Sequence, residues 1–247
     1  MYSIAMLIPV CSRGKKYKDI ENTPFSSIFY PNFLKTYNPK HKYTIYIGID
    51  STDSFYKLHR EALQSFSREN IIIKTNILEG CEHKPAFAWN KLFSLAYEDE
   101  MDYFYQVGDD IEMKTPWVDR FIEILSARDN RGVVGGCHDA NYYGRINQNK
   151  IPVIENAFVH RKHYQIFNTF FNKKIENWYC DDWITEVYKP NFSTLCVEIK
   201  VVNKLMARYH VKDIGNEIKK FINADKIYVD HGKNKPLSIL IAKPTEI

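Results

Sequence analysis

A chain of 247 residues that is 45% hydrophobic and 15% aromatic carries ample material for one large packed domain or two small ones, which excludes a disordered chain. Its formal charge of +4 comes from scattered Lys and Arg, with no long basic block and no regular basic–aromatic interleaving. That pattern favours anionic small ligands and speaks against a dedicated nucleic-acid surface. The five cysteines (Cys11, Cys81, Cys137, Cys180, Cys196) are odd in number and far apart and form no CxxC pair. Neither a disulfide framework nor a zinc knuckle is indicated, and a reducing compartment is expected. The apolar run Ile4–Val10 is too short for a secretory signal, and no stretch approaches the length of a membrane span. A soluble protein of the cytoplasm is expected, a host's cytoplasm if the source is viral.

Strands and helices alternate along the first half. Ile4–Pro9 reads as a strand, and Phe25–Tyr37 as a helix interrupted by Pro31. Tyr43–Ile49 is a second strand, ending in Asp50-Ser-Thr-Asp53. Phe55–Arg68 has Phe55, Leu58, Ala62, Leu63 and Phe66 at helical spacing, and Ile71–Leu78 is a third strand. Pro85–Tyr97 is a helix with proline in its first turn and Phe87, Leu92, Phe93 and Ala96 as core candidates. Tyr103–Val107 is a fourth strand. Trp117–Leu125 is a helix with Thr115 as its cap and Pro116 at its first position, followed by a short strand at Gly132–Gly136. This order predicts a mainly parallel sheet with right-handed crossovers. After about Asp139 a loop rich in Asn, Tyr and Gly leads to a strand at Val153–Asn156, helices near His160–Phe167 and Asp182–Tyr188, and a strand at Thr194–Val201. There is no linker and no internal repeat.

Two acidic pairs stand out. The buried-looking strand Tyr103–Val107 ends in Gly108-Asp109-Asp110. Adjacent carboxylates at the end of a buried strand repel each other and are costly to desolvate unless neutralised. A divalent cation is the usual remedy: Mg²⁺ or Mn²⁺ takes hard oxygen ligands and completes its shell with substrate phosphates. The carboxyl ends of strands in open α/β sheets are also where ligands bind. The same residues equally fit a strand followed by an acidic turn. The second pair, Asp181 and Asp182, falls in the first turn of a helix, where acids serve either as caps or as a positioned base. Trp178, Tyr179 and Trp183 flank it as sugar-stacking faces or as core. Arg13 and Lys84 are cations able to offset diphosphate charge, or simply solvated surface.

Three strand ends now lie on one side of the sheet: Pro9-Val-Cys-Ser-Arg13, Asp50, and Gly108-Asp109-Asp110. In this order the chain resembles the GT-A class of nucleotide-sugar glycosyltransferases, especially the family-2-like and β-galactosyltransferase-like inverting enzymes, from about Ile4 to His210. The resemblance implies an α/β, Rossmann-like single domain over residues 1–247, its mainly parallel central sheet flanked by helices. Residues 1–137 would form the nucleotide-sugar half and 138–247 the acceptor half. Pro9, Val10, Ser12 and Arg13 would contact the nucleotide, Asp50 its uracil or sugar part, and Lys84, Asn90 and Asp109 the rest of the donor. Gly108 stands where the strict DxD motif has its first acid, so Asp110 becomes the direct Mn²⁺ or Mg²⁺ ligand. In galactosyltransferase-like members a histidine completes the metal shell; His210 matches it by spacing, with His231 as competitor. The stretch Asn177–Tyr188 resembles the xED motif, which makes Asp182 the general base and Asp181 its neighbour. His138, Asp139, Glu155 and Asn156 would border the acceptor. The implied activity is metal-dependent, inverting transfer from a nucleotide sugar, as UDP-sugar, to a hydroxyl of a glycan or other acceptor. Two other readings remain. A nucleotidyltransferase normally opens with a glycine- and basic-rich phosphate loop, of which this chain has only Ser12–Lys16. A catalytically decayed nucleotide- or carbohydrate-binding protein is permitted by Gly108.

Overall fold

Strand β1 (Ser3–Val10) alternates its side chains between two cores, and that alternation organises the molecule. Ile4, Met6 and Ile8 enter one apolar layer, Ala5 and Leu7 the other. The computed structural model describes residues 1–12, 15–138, 152–177, 179–204 and 214–230. Arg13, Asp139, Trp178, His210 and His231 lie outside the described residues.

After β1 the chain forms α1 (Tyr30–Thr36), β2 (Lys42–Asp50), the short helices α2 (Ser54–Leu58) and α3 (Arg60–Gln64), and β3 (Ile71–Leu78). Then come α4 (Pro85–Glu98), β4 (Tyr103–Gln106), β5 (Ile111–Met113), α5 (Val118–Ser126) and β6 (Val133–Cys137). The second half adds β7 (Phe158–His160), α6 (Lys162–Phe167), α7 (Cys180–Val187), β8 (Ser193–Asn203) and α8 (Gly215–Asp230). Among the described residues the strands form one mixed sheet in the order β3-β2-β1-β4-β7-β6-β8-β5. Strands β1 to β4 are mutually parallel, as the alternation predicts. Beyond β4 the sheet is mixed: β7 runs antiparallel to β4, and β8 pairs parallel with β6 before turning to an antiparallel partner, β5. Helices α1 and α5 cover one face; α4, α6, α7 and α8 cover the other. No described helix is long and apolar enough to cross a membrane.

Several elements differ from the sequence expectation for identifiable reasons. Pro31 does not interrupt its helix: residues Phe25–Phe29 form a π-turn that leads straight into α1, and the wider turn accommodates the missing proline N–H. The expected helix Phe55–Arg68 splits at His59, whose backbone N and ring Nδ1 both donate to the Phe55 carbonyl, at 3.2 and 2.8 Å. Thr115 does not cap α5; its hydroxyl accepts from the Lys200 backbone N at 2.9 Å, and Trp117 is the cap residue. Val153–Asn156 is a loop rather than a strand; its Ile154 N donates to a side chain, Thr185 Oγ1, instead of to a neighbouring strand.

His163 on α6 is 1% exposed. Its Nε2 donates to the Phe170 carbonyl and its Nδ1 accepts from the Tyr188 hydroxyl, both at 2.8 Å. Burial pushes its pKa down to about 4, so the folded ring stays neutral where the unfolded ring takes a proton. Between about pH 6.5 and 4 the unfolded state therefore binds more protons, and stability falls as pH falls. Urea unfolding at pH 7.5 and pH 5 should differ by on the order of 2 kcal/mol from this residue. His163→Gln should flatten that part of the profile, whatever it costs in absolute stability.

Candidate active site

The parallel strands end at one edge of the sheet, and strand order reverses there between β1 and β4, the position at which open α/β sheets bind ligands. Trp89 of α4 ties these two strands together. One indole N–H is shared between the Leu7 carbonyl of β1, at 3.2 Å, and the Val107 carbonyl just past β4, at 3.3 Å. Beside it, Pro9, Val10, Asp50, Cys11, Cys81 and His83 line a cleft. Gly48 forms part of the same wall; a Cβ there would lie 2.6 Å from Leu78 Cδ1 and 3.1 Å from Leu92 Cδ1, so only glycine lets α4 approach this closely.

Two aspartates after β2 divide the work. Asp50 faces the cleft and accepts from Thr52 N and Thr52 Oγ1, at 3.0 and 2.8 Å, both through Oδ1. Asp53 is 6% exposed and structural. Its Oδ1 caps α2 by accepting from Tyr56 N at 3.0 Å, and its Oδ2 accepts from Ser12 N. Asp53 thus joins the loops that follow β1 and β2. Tyr56 behind it is fully buried, and its phenol pKa is raised first by burial and then by the nearby Asp109 carboxylate.

Asp109 and Asp110 follow β4 with only 5% and 8% of their surfaces exposed. Gly108 gives Asp110 its room, since a Cβ there would meet Asp110 Oδ1 at 2.7 Å. The Asp110 carbonyl accepts from Lys204 N at 3.1 Å, and Ile111 pairs with Asn203, so the acidic loop is fastened to the end of β8. Two hard carboxylates suit Mg²⁺ or Mn²⁺, whose remaining ligands come from phosphate and water. Among the described residues no group of three or more His, Cys, Asp or Glu side chains is arranged to hold a metal.

The other acidic pair opens α7. Its cap residue is Tyr179, at φ 70°, with no side-chain capping bond. Asp181 and Asp182 thus sit in the first turn and neither is the N-cap; Asp181 Oδ1 accepts from Cys180 Sγ at 3.4 Å, while Asp182 is only 6% exposed. One segment bridges the two acidic elements. Gln106 of β4 exchanges two bonds with Ala157, accepting from its N at 3.0 Å and donating to its O at 2.9 Å. Three residues earlier, Ile154 N donates to Thr185 Oγ1 of α7 at 2.9 Å. On the same segment Glu155 pairs with His138 at 2.9 Å, and Asn156 is 5% exposed. His138, Glu155 and Asn156 therefore lie where the acidic loop and α7 are tied together.

Two further candidates are held by contacts within the protein. Asn90 clamps Phe171 from both sides, accepting from its N at 2.7 Å and donating to its O at 3.1 Å, and it lines a separate groove with Phe87 and Tyr164. Lys84 pairs with Glu176 at 3.0 Å. Trp183 is fully buried and is core rather than a sugar-stacking face. Sequence reasoning missed Asp53, Trp89 and Asp225. Asp53 had a local signal in the Asp-x-x-Tyr spacing of a capped helix start, and Asp225 one in breaking an apolar helical stripe; Trp89 had none.

No family model matches the sequence, and no curated protein is significantly similar to it. Solved structures do resemble it. S. aureus TarS 1–349 in complex with UDP-GlcNAc superposes with a TM-score of 0.62 at 12% identity, over 93% of this chain and 68% of that one. A longer S. aureus TarS structure gives 0.61 at 11% identity and is spanned over only 40% of its length. TarS 1–349 with UDP gives 0.54 at 11% identity, over 92% of this chain and 66% of that one. At these identities the likeness is one of fold.

The division between Asp50 and Asp53 is measurable. Asp53→Ala removes a helix cap and a charged acceptor and should cost about 2 kcal/mol or more in urea unfolding. Asp50→Ala, on the open cleft, should cost less than about 1 kcal/mol. Equal losses would contradict the assignment.

Proposed function

We propose that the chain is a metal-dependent, inverting nucleotide-sugar glycosyltransferase. The observation that carries this reading is the pairing of a buried diacid at the carboxyl end of β4 with a buried Asp182 at the start of α7, joined through the Gln106–Ala157 and Ile154–Thr185 hydrogen bonds. The fold shared with TarS, a glycosyltransferase with UDP-GlcNAc and UDP complexes, supports it and makes UDP-GlcNAc the first donor to try.

In this reading the end of β1 (Pro9 and Val10), Ser12 and Arg13 after it, and Asp50 receive the nucleoside. The Asp50 bonds to Thr52 use only Oδ1, so Oδ2 is available to accept a base or ribose proton. Asp110, with Asp109 beside it, would hold Mn²⁺ or Mg²⁺, and His210 would be the third protein ligand, with His231 as its competitor. Bound there, the ion supplies Lewis-acid stabilisation of the departing diphosphate. Asp182 accepts the proton of the acceptor hydroxyl as its oxygen attacks C1 of the sugar. The C1–O bond to the diphosphate breaks on the opposite face, and the anomeric configuration inverts. His138, Glu155 and Asn156 hold the acceptor. The acceptor is a glycan or another hydroxyl compound.

Calorimetric titration of UDP with and without Mn²⁺ tests the donor half. Wild type should gain affinity from Mn²⁺; Asp110→Ala should lose that gain entirely, and Asp109→Ala only part of it. Equal Mn²⁺-dependent affinity in wild type and Asp110→Ala would sink the metal assignment.

Hydrolysis of UDP-GlcNAc, with water standing in for the acceptor hydroxyl, tests the base. Asp182→Asn keeps size but cannot take the proton, so kcat should fall by about 10²-fold or more. UDP affinity should hold, because a base acts in the transition state. Asp181→Asn should be milder. The released sugar, analysed by NMR before mutarotation, should have the inverted anomeric configuration; a retained one would remove Asp182 from the base role.

A further inference from the structure

The adjacent residues Trp89 and Asn90 fasten two different things. Trp89 holds the carbonyls of Leu7 on β1 and of Val107 just past β4, and Asn90 holds Phe171 by both its N and its O. The next residue, Asn172, donates from Nδ2 to Asp225 Oδ2 of α8 at 2.5 Å. That same oxygen accepts from Trp183 Nε1 at 3.0 Å, and Trp183 directly follows Asp182. A continuous series of bonds and chain neighbours thus runs from the acidic end of β4 to the acidic turn of α7, and Asp225 is the junction.

Asp225 is 2% exposed and Trp183 is fully buried. Burying a carboxylate is expensive even when it is hydrogen-bonded, and phenylalanine in place of Trp183 would fill most of the space without requiring a charge. What the pair adds is direction. Helix α7 has only eight residues and begins at a left-handed residue with no side-chain cap, so its own ends do little to fix its rotation. Successive residues stand about 100° apart around a helix, so holding the indole of Trp183 sets the azimuth of Asp182. A rotation of about 10° moves a group about 6 Å from the axis by about 1 Å. Displacements of that size cost about 10²-fold in rate when a reacting group is involved.

We propose that Asp225 is a positioning residue for Asp182: through Trp183 it fixes the rotation of α7, and through Asn172 it locks that helix to the element that shapes the donor crevice. The C-terminal helix is thereby part of the catalytic framework. The inference rests on the reading of Asp182 as the base.

Asp225→Leu, Trp183→Phe and the double variant provide the test, with UDP-GlcNAc hydrolysis, UDP calorimetry and amide hydrogen exchange on the full chain. Each single change should lower kcat by about ten- to a hundredfold while UDP affinity stays within about twofold. The double variant should be no worse than the more affected single variant, because both changes break one bond. Exchange of the amides of residues 182–185 should quicken in all three. Unchanged kcat in both single variants, multiplied penalties in the double, or UDP affinity falling in step with kcat would overturn the proposal. If wild type neither binds UDP nor hydrolyses the donor, the functional reading fails by itself. The exchange data then decide whether Asp225 sets α7, and unchanged protection there rejects it.

Discussion

The constraint that the rest of the structure answers to is a pair of neighbouring carboxylates that the fold keeps almost wholly out of water. Taking a carboxylate out of water is costly unless it is paired or hydrogen-bonded. Asp109 and Asp110 are held in this condition by a turn between β4 and β5, and the surroundings are organised around that turn. Glycine at 108 makes room for one carboxylate, the indole of Trp89 fixes the carbonyl of Val107, and Lys204 N takes the carbonyl of Asp110. In the function proposed above, a divalent cation is what would offset that cost.

The mixed half of the sheet serves this loop. The long strand β8 leaves β6 at the register shift beside Gly136 and Cys137, then runs on to pair with β5. One strand therefore spans from the His138–Glu155 pair to the acidic turn. The 154–157 segment makes a second crossing, from Gln106 to Thr185. The two halves of the chain share an apolar core that takes in Leu92, Phe93, Phe170 and Trp183, and short polar ties are added to it. These ties are direction-dependent and tolerate less error than apolar packing.

What the sequence made legible was whatever depends on local pattern. Strands β1 to β4 and helix α4 could be read from alternating or continuous β-branched and aromatic runs. The two acidic pairs could be read as acids at a strand end and a helix start. Strands β5 and β7 span three residues each, too few to show a period. Helix α8 carries the spacing Ile218, Ile222, Asp225, Val229, a helical stripe broken by one acid, and its lysines and asparagines obscured the rest. The break in that stripe was the trace of the Asp225–Trp183 bond. Pairings over long sequence separation, such as Trp89 with Leu7 or Asn90 with Phe171, leave no mark in a single sequence because neither partner's neighbours change. The same holds for Thr115, whose cap-like position next to Pro116 was outweighed by a partner 85 residues away.

Among the described residues strand β3 is one edge of the sheet, and it exposes Ile72 at 53% and Ile77 at 37%. Such an edge offers unpaired backbone and apolar side chains to any second strand that meets it. Between the two isoleucines lies Lys74, partly exposed and salt-bridged to Asp99 at 2.7 Å. A strand added to β3 would have to desolvate that pair, which makes self-association through this edge unfavourable. The colloidal behaviour of the protein at high concentration thus depends on a lysine remote from the chemistry, and acetylation or neutral replacement at position 74 would turn a protected edge into an adhesive one.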